Sequence, residues 1–277
     1  MPERFLILGA NSFYGSNFAK LVEERGDVAL RWSRPEFDIA RKGACWYFDR
    51  QDYADYIVNF VSQSLVAESW ADPVEWMHVN GGMTTNLFEN LRHLRIKKFV
   101  HVSTPEVYGS TPYWVEEDAP YNPTTPYAVS RAAGDMMLKV YFKAYGFPML
   151  ITRTANIYGP GQQPYRLIPK AIQYKKEGMA LSLHGGGWSK RSFIHIKDAC
   201  EATYLLCKEG LIGETYHIST TEAHWIREVV SMLGCEYEEV EDRLGKDAAY
   251  LLNSDKLRRM GWSATISLEE GLRELSR

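Results

Sequence analysis

Short apolar runs at residues 5–9, 28–32, 57–61, 98–103 and 148–153 alternate with helical patterns at 15–25, 73–95 and 126–145. Each run leads into a loop rich in Gly, Ser, Thr or Asn. Strands that alternate with amphipathic helices imply a parallel, doubly wound α/β sheet. In the first helix Phe18, Leu21 and Val22 share one face. One repeat is short. About 25 residues separate the second strand from the run at 57–61, where a full strand–helix–strand unit needs roughly 30. Residues 44–49 (Ala-Cys-Trp-Tyr-Phe-Asp) are the candidate third strand, with its crossover helix cut short or lost.

After Gly159-Pro160-Gly161 the pattern changes to isolated strands with shorter helices between them. Leu181–His184, Phe193–Ile196 and Thr215–Ile218 are examples. The expected division is a dinucleotide-binding domain over 1–160 and, over 161–277, mainly a smaller α+β substrate-binding lobe, some of whose segments return to the first domain.

The segment Leu8-Gly9-Ala10-Asn11-Ser12-Phe13-Tyr14-Gly15 closes the first strand and opens the first helix. Backbone N–H groups there must approach a pyrophosphate, and the helix N-terminus stabilises its charge. Gly9 and Gly15 fit the outer glycines of a G-x-x-G-x-x-G loop, and Ser12 stands in the middle position with a hydroxyl able to donate to phosphate. Gly9, Asn11, Ser12, Phe13 and Gly15 are the expected loop contacts on a Rossmann-type fold. The second strand ends at Arg31-Trp32-Ser33-Arg34 without the acid that would bind a ribose 2′-hydroxyl. Ser33 and Arg34 suit a 2′-phosphate instead, so NADP is favoured over NAD.

Composition narrows the function. The 32 basic and 35 acidic residues give a net charge of −3, with no basic block for nucleic acid or an anionic membrane. No apolar run reaches the roughly 18 residues of a membrane span. The opening Met-Pro-Glu-Arg runs straight into the first strand, too short for a signal peptide. Cys45, Cys200, Cys207 and Cys235 form no C-x-x-C pair, so neither a metal site nor a disulfide framework is expected, and reduced thiols in a cytoplasmic protein are the plain expectation.

The candidate chemistry lies at two strand and helix ends. Val102-Ser103-Thr104-Pro105-Glu106-Val107-Tyr108-Gly109 ends a strand, where open α/β sheets bind ligands. Pro126-Tyr127-Ala128-Val129-Ser130-Arg131 starts a helix, with Tyr127 and Arg131 four apart on one face. A cation there favours phenolate, and such a tyrosine can take a proton from a sugar hydroxyl as hydride leaves. His195 reads as a packed residue, and His101 and His184 have no recognisable partner.

These motifs together resemble the extended short-chain dehydrogenases that act on nucleotide sugars. Phe60-Val61-Ser62-Gln63-Ser64-Leu65-Val66 is similar to the family's post-strand cofactor segment. Arg153-Thr154-Ala155-Asn156-Ile157-Tyr158-Gly159-Pro160 is similar to the segment that carries a substrate-contacting Asn. Lys190 to Asp198, and Asp242 to Tyr250, resemble the two that supply diphosphate arginines. The resemblance implies cofactor contacts from Asp49, Tyr127 and Arg131, and substrate contacts from Asn156, Arg191 and Arg243. It also implies a homodimer through the helices at 73–95 and 126–145, whose Met136, Met137, Val140 and Tyr141 exceed what one sheet face needs. The stretch Ser-Thr-Pro-Glu-Val-Tyr-Gly is similar to 4,6-dehydratases and uronate decarboxylases. The implied chemistry has Tyr127 and Thr104 serve oxidation at C4, Glu106 remove the C5 proton, water leave from C6 and hydride return there.

Two departures from the family pattern bear on this. Arg131 replaces the usual Lys of Y-x-x-x-K, keeping the charge on a bulkier fork that cannot lose a proton. Pro105 replaces an Asp that protonates the leaving hydroxyl in many dehydratases. Either Glu106 serves as both base and acid, or the reaction is one that needs no such acid, as in a 4-epimerase or a uronate decarboxylase. The same departures fit a catalytically weakened nucleotide-sugar-binding protein.

Overall fold

A computed structural model describes residues 1–40, 54–242, 244–245 and 247–277. The candidate third strand at 44–49, with Cys45 and Asp49, lies outside the described residues, as does Arg243. The first half of the chain supplies strands β1 (Arg4–Leu8), β2 (Val28–Trp32), β3 (Tyr56–Asn59), β4 (Lys98–Ser103) and β5 (Met149–Thr154). They pair in parallel in the order β2-β1-β3-β4-β5. Parallel sheets covered on both faces read as continuous apolar runs, and β3 and β5 are buried at every position.

The alternation along β1 explains the two layers. Successive side chains point to opposite faces. Phe5 and Ile7 join a core with Phe18 and Val22 of helix α1 (Phe13–Glu24). Leu6 and Leu8 join a second core with Leu87, Phe88, Leu138 and Phe147. That second core is roofed by helix α4 (Pro126–Tyr145) and by the stretch expected as one helix over 73–95. The stretch is three pieces: α2 (Pro73–Trp76), a wide π-helical turn over Met77–Met83, and α3 (Thr84–Leu91). Gly81 and Gly82 lie in the π turn. The hydroxyls of Thr84 and Thr85 donate to the carbonyls of Val79 (3.1 Å) and Gly81 (2.8 Å), which supports the locally widened ladder.

The second half contributes β6 (Asn156–Tyr158), α5 (Leu167–Glu177), β7 (Leu181–His184), β8 (Lys190–Arg191), β9 (Phe193–His195), α6 (Ile196–Glu209), β10 (Thr215–Ile218), β11 (His224–Trp225), α7 (Ile226–Met232), β12 (Tyr237–Val240) and β13 (Ala249–Tyr250). Two of these return to the main sheet. β10 pairs in parallel with β5 as its outer neighbour. α6 packs on α1, where the Tyr14 hydroxyl donates to Ala199 O (2.9 Å) and meets Thr203 Oγ1 (2.8 Å). The remaining strands form small sheets: β6 with β9, β7 with β12, and β8 between β11 and β13. Their core holds Tyr158, Ile168, Leu181, Leu183, Val229 and Leu272. Cys200, Cys207 and Cys235 are buried and free. No helix among the described residues is long and apolar enough to cross a membrane.

One buried ion pair ties the sheet to α4. Arg153 at the end of β5 and Asp135 on α4 are both fully buried and 2.9 Å apart. The Arg153 guanidinium also donates to the hydroxyls of Tyr108 and, at 2.6 Å, Tyr121. It lies 4.5 and 4.9 Å from the two ring centroids. Removing one partner of such a pair strands a charge away from water. Asp135→Ala is expected to lower stability by about 3–5 kcal/mol, read from urea unfolding. A loss below about 1 kcal/mol would show that the pair contributes little.

Candidate active site

The glycine loop is folded as a tight phosphate-sized turn. Gly9 has φ +83°, a conformation that favours glycine, and a Cβ on Gly15 would stand 2.4 Å from Gly9 O. Gly9 N donates to Trp32 O (2.8 Å), which pins the loop to the end of β2. Ser12 caps α1, its Oγ accepting from Gly15 N at 3.0 Å. As an acceptor there, it keeps its own hydroxyl hydrogen available to donate. Asn11 N, expected to face phosphate, donates instead to Ser33 Oγ at 2.8 Å. Ser33 thus belongs to the loop's scaffold. Arg34 is exposed, whereas Arg31 is paired with Glu23. A loop that only glycine fits, at the start of a 12-residue helix, matches the demands of a dinucleotide pyrophosphate.

Buried asparagines shape the next wall. Asn59, ending β3, accepts from Val61 N at 3.0 Å. Asn80 exchanges two bonds with the backbone of Gln63 and donates to Ser130 on α4. The post-strand segment 60–66 is thereby clamped to the helix that carries Tyr127.

Tyr127, Thr104 and Arg131 come together at the C-terminal end of β4. All three are buried, at 6%, 6% and 4% exposure. Thr125 caps α4, and Pro126 occupies its first turn. Thr104 caps the short turn Pro105–Tyr108 that presents Glu106. Arg131 lies on the Tyr127 face, and its guanidinium donates to the Val102 carbonyl. The expectation that a cation lowers the Tyr127 pKa holds in direction only. Burial dominates and holds the phenol above its usual range, against the pull of Arg131 and of the Thr104 hydroxyl; Glu106 adds to the rise.

Glu106 stands beside this pair. Burial pushes its carboxyl up to about 7. Arg191 opposes that rise, Asp247 adds to it, and Tyr250 and Arg166 favour the ionised form. Arg191 is buried, its guanidinium 4.0 Å from the Tyr250 ring centroid, and it donates to Asp247 O at 2.8 Å. Asn156 is exposed and pairs through β6 with Phe193, two residues beyond Arg191. The structure thus brings Glu106, Tyr127, Thr104, Arg131 and Arg191 to one place, with Asn156 on the adjoining strand.

The match to known proteins spans the main sheet and most of the site. The family described as the NAD dependent epimerase/dehydratase family matches residues 5–219. The chain belongs to that family. It is 32% identical, over 96% of its length and 95% of the relative's, to the low-salt glycan biosynthesis protein Agl12 of Haloferax volcanii. It is 32% identical to the human dTDP-D-glucose 4,6-dehydratase over 79% of this chain and 67% of the other. The solved structure of DesIV, a dTDP-glucose 4,6-dehydratase from Streptomyces venezuelae with NAD bound, superposes with a TM-score of 0.89. It is 30% identical, and the match covers 99% of this chain and 96% of that one.

Within this epimerase/dehydratase scaffold, sequence reasoning missed several neighbours of the site. Asp247 and Tyr250 lie in the segment 242–250, whose arginine is the residue that the family resemblance marks, and no local spacing ties them to Glu106. Arg166 follows the Tyr158-Gly159-Pro160 turn with no periodic signal, yet its charge acts on both Glu106 and Tyr127. His195 is fully buried and caps α6, and His101 is buried against Asp135. No cluster of three or more metal-ligating side chains exists among the described residues.

A raised carboxyl has a stability consequence. Glu106 is neutral in the fold below about 7, while an unfolded glutamate ionises near 4.3. Its favourable contribution is present in acid and is lost as pH rises through 7. Glu106→Gln should therefore stabilise the protein at pH 8 by up to about 3 kcal/mol, and much less at pH 5. Equal thermal shifts at the two pH values would contradict this.

Proposed function

We propose that this chain is a nicotinamide-dependent nucleotide-sugar 4,6-dehydratase. The observation that carries the reading is Glu106, a largely buried carboxyl poised near neutrality beside Tyr127 and Thr104. A C4 epimerisation needs no such group, whereas elimination across C5 and C6 does. The dehydratases among the relatives support the same choice.

A bound nicotinamide would supply a site that accepts hydride from C4 and returns it at C6. The chain's own residues do the rest. Tyr127 acts in its ionised form, which Arg131 and the Thr104 hydroxyl favour against burial. That phenolate takes the proton of the C4 hydroxyl, and Thr104 hydrogen-bonds the same oxygen. The resulting ketone acidifies C5–H, and Glu106 removes that proton. With Pro105 unable to act as acid, Glu106 hands the proton to the departing C6 hydroxyl. Once hydride has returned to C6, C5 takes a fresh solvent proton by way of Glu106, and Tyr127 gives its proton back to solvent. A group titrating near the working pH is suited to both duties. Arg131 holds the tyrosine's surroundings positive. Arg191 and Arg243 clasp the diphosphate of the substrate, and Asn156 bonds a phosphate or sugar oxygen.

One observation favours a second reading, a uronate decarboxylase or uronate 4-epimerase. The charge of Arg166 reaches both Glu106 and Tyr127, and a uronate carboxylate needs a facing cation. A panel of nucleotide sugars followed by mass spectrometry separates the readings. Loss of water is expected, loss of carbon dioxide would install the decarboxylase, and no mass change with inversion at C4 the epimerase. Tyr127→Phe should abolish every partial reaction. Glu106→Gln should still form the 4-keto sugar but slow dehydration by about 10²–10⁴, with no deuterium entering C5 from heavy water. Cofactor held without any turnover would leave only a binding protein.

For the cofactor we favour NADP, since positions 31–34 hold no acid and Arg34 is exposed just beyond β2. Calorimetric titration should give tighter NADP than NAD binding, reversed in Arg34→Asp. Tighter NAD binding by the unaltered chain would sink this choice. A homodimer would bury Val74, Met77, Met136, Met137 and Val140, which stand exposed on α2, the π turn and α4. Val74, Met77 and Met137 line a cleft of about 760 Å³, whereas Tyr141, expected on the same surface, is buried in the core. Light scattering at micromolar concentration should give twice the chain mass; a monomer mass would count against it.

A further inference from the structure

A second carboxylate stands behind Glu106, on a segment more than a hundred residues away. Asp247 is 4% exposed. Its Oδ2 accepts from Tyr250 Oη at 2.8 Å and from Thr124 Oγ1 at 2.8 Å. The Tyr250 hydroxyl also acts on the Glu106 carboxyl, favouring its ionised form, and its single hydrogen, bonded to Asp247, can serve one carboxyl group at a time. Burial and both carboxylates hold that phenol well above its usual range, so it keeps its hydrogen. The segment is sewn in place: Thr111 N donates to Ala249 O (2.9 Å), and Leu251 N to Thr111 Oγ1 (2.6 Å). These bonds hold it to the loop that leads to Tyr127.

We propose that Asp247 and Tyr250 are positioning residues for Glu106. The buried charge of Asp247, and the phenol hydrogen for which the two carboxyl groups compete, set when Glu106 holds a proton. That lets one glutamate act as both base and acid where Pro105 offers no second acid. The use made of this coupling rests on the dehydratase reading; the coupling itself does not. In that reaction the C5–H bond breaks, its electrons enter the enolate of the 4-ketone, and the proton lands on a Glu106 oxygen. The C6–O bond then breaks, the same proton leaves with the hydroxyl as water, and Glu106 ends ionised.

Among the described residues, the groups that act on Glu106 are Arg191 on β8, Arg166 at the start of α5, Tyr127 on α4, and Asp247 with Tyr250 around β13. Asp247 disfavours the carboxylate by like charge, and Tyr250 favours it by hydrogen bonding. The two substitutions therefore have opposite signs. In infrared titrations of the purified protein, the carboxyl band lost in Glu106→Gln identifies Glu106. Asp247→Asn should move its ionisation down by about one pH unit, and Tyr250→Phe should move it up. If Asp247→Asn does not fold, Thr124→Val replaces it. That variant frees Asp247 to hold the phenol hydrogen more tightly, and Glu106 should ionise at higher pH. An unmoved band, or shifts of one sign in Asp247→Asn and Tyr250→Phe, would overturn the coupling. Opposite shifts in a protein that dehydrates no nucleotide sugar would keep the coupling and sink the dehydratase reading.

Discussion

The site depends on two full charges buried where water cannot reach them. Arg153 ends β5 and Asp135 lies on α4, and their 2.9 Å contact fixes that helix on the sheet. Tyr127, Arg131 and Asp135 recur at four-residue intervals, so locating Asp135 locates the other two on the same helix face. Terminal N–H groups of Arg153 also donate to Tyr108 and Tyr121, which fix the far side of the loop presenting Glu106. Burying the pair is costly in itself. What it contributes is a helix that cannot rotate or slide without exposing an unpaired charge. A site whose parts come from β4, α4, β8 and β13 needs such a constraint.

Burial governs the ionisation of that site more than any single partner does. Tyr127 has a cation on its own helix, yet its phenol is held up, because removal from water outweighs one guanidinium. Glu106 has Arg191 and Arg166 acting in its favour, yet it sits near 7 rather than in the carboxylate range, for the same reason and because Asp247 adds a like charge. A group in this condition responds strongly to any charge brought next to it, since the low-dielectric surroundings screen little. Sugar and cofactor charges would therefore act on Tyr127 and Glu106 with unusual leverage.

The sheet was legible because burial on both faces leaves its mark on composition: the run at 98–103 became β4 with unchanged bounds, and the run at 28–32 became the less buried edge strand β2. The glycine loop was legible because only glycine satisfies φ +83° at position 9 and the close approach at position 15. The π turn was not, since apolar spacing over 73–95 fits an unbroken helix, and the widening depends on Thr84 and Thr85 bonding carbonyls of the turn itself and on Asn80 bonding Gln63 and Ser130. The partner of Thr215–Ile218 was also hidden. Four buried residues fit a strand of any sheet, and only the tertiary fold puts them beside β5. Around the site, Tyr127 stood out through its four-residue spacing from Arg131, and Glu106 through the likeness of Ser103–Gly109 to the family's dehydratases. Asp247 and Tyr250 reach Glu106 across the fold, and no local pattern encodes that proximity.

The arginine at 131 is better understood from its surroundings than from the lysine it replaces. Its guanidinium donates to the Val102 carbonyl, one residue beyond His101, whose ring is buried against Asp135 and held neutral, pushed down to about 4. An ammonium group has three donors on a single atom. Tied to Val102, it would have to reach toward the tyrosine and the cofactor from that one point. A guanidinium spreads five donors over a rigid plane, so it can hold the strand carbonyl with one nitrogen and keep others turned toward the site. The substitution then exchanges a mobile point charge for a braced one, anchored to the strand that presents Thr104 and Glu106. The electrostatic support of Tyr127 is kept. What is given up is the freedom of the cation to follow the tyrosine's proton, and that makes the fixed geometry set by Asp135 and Arg153 all the more necessary.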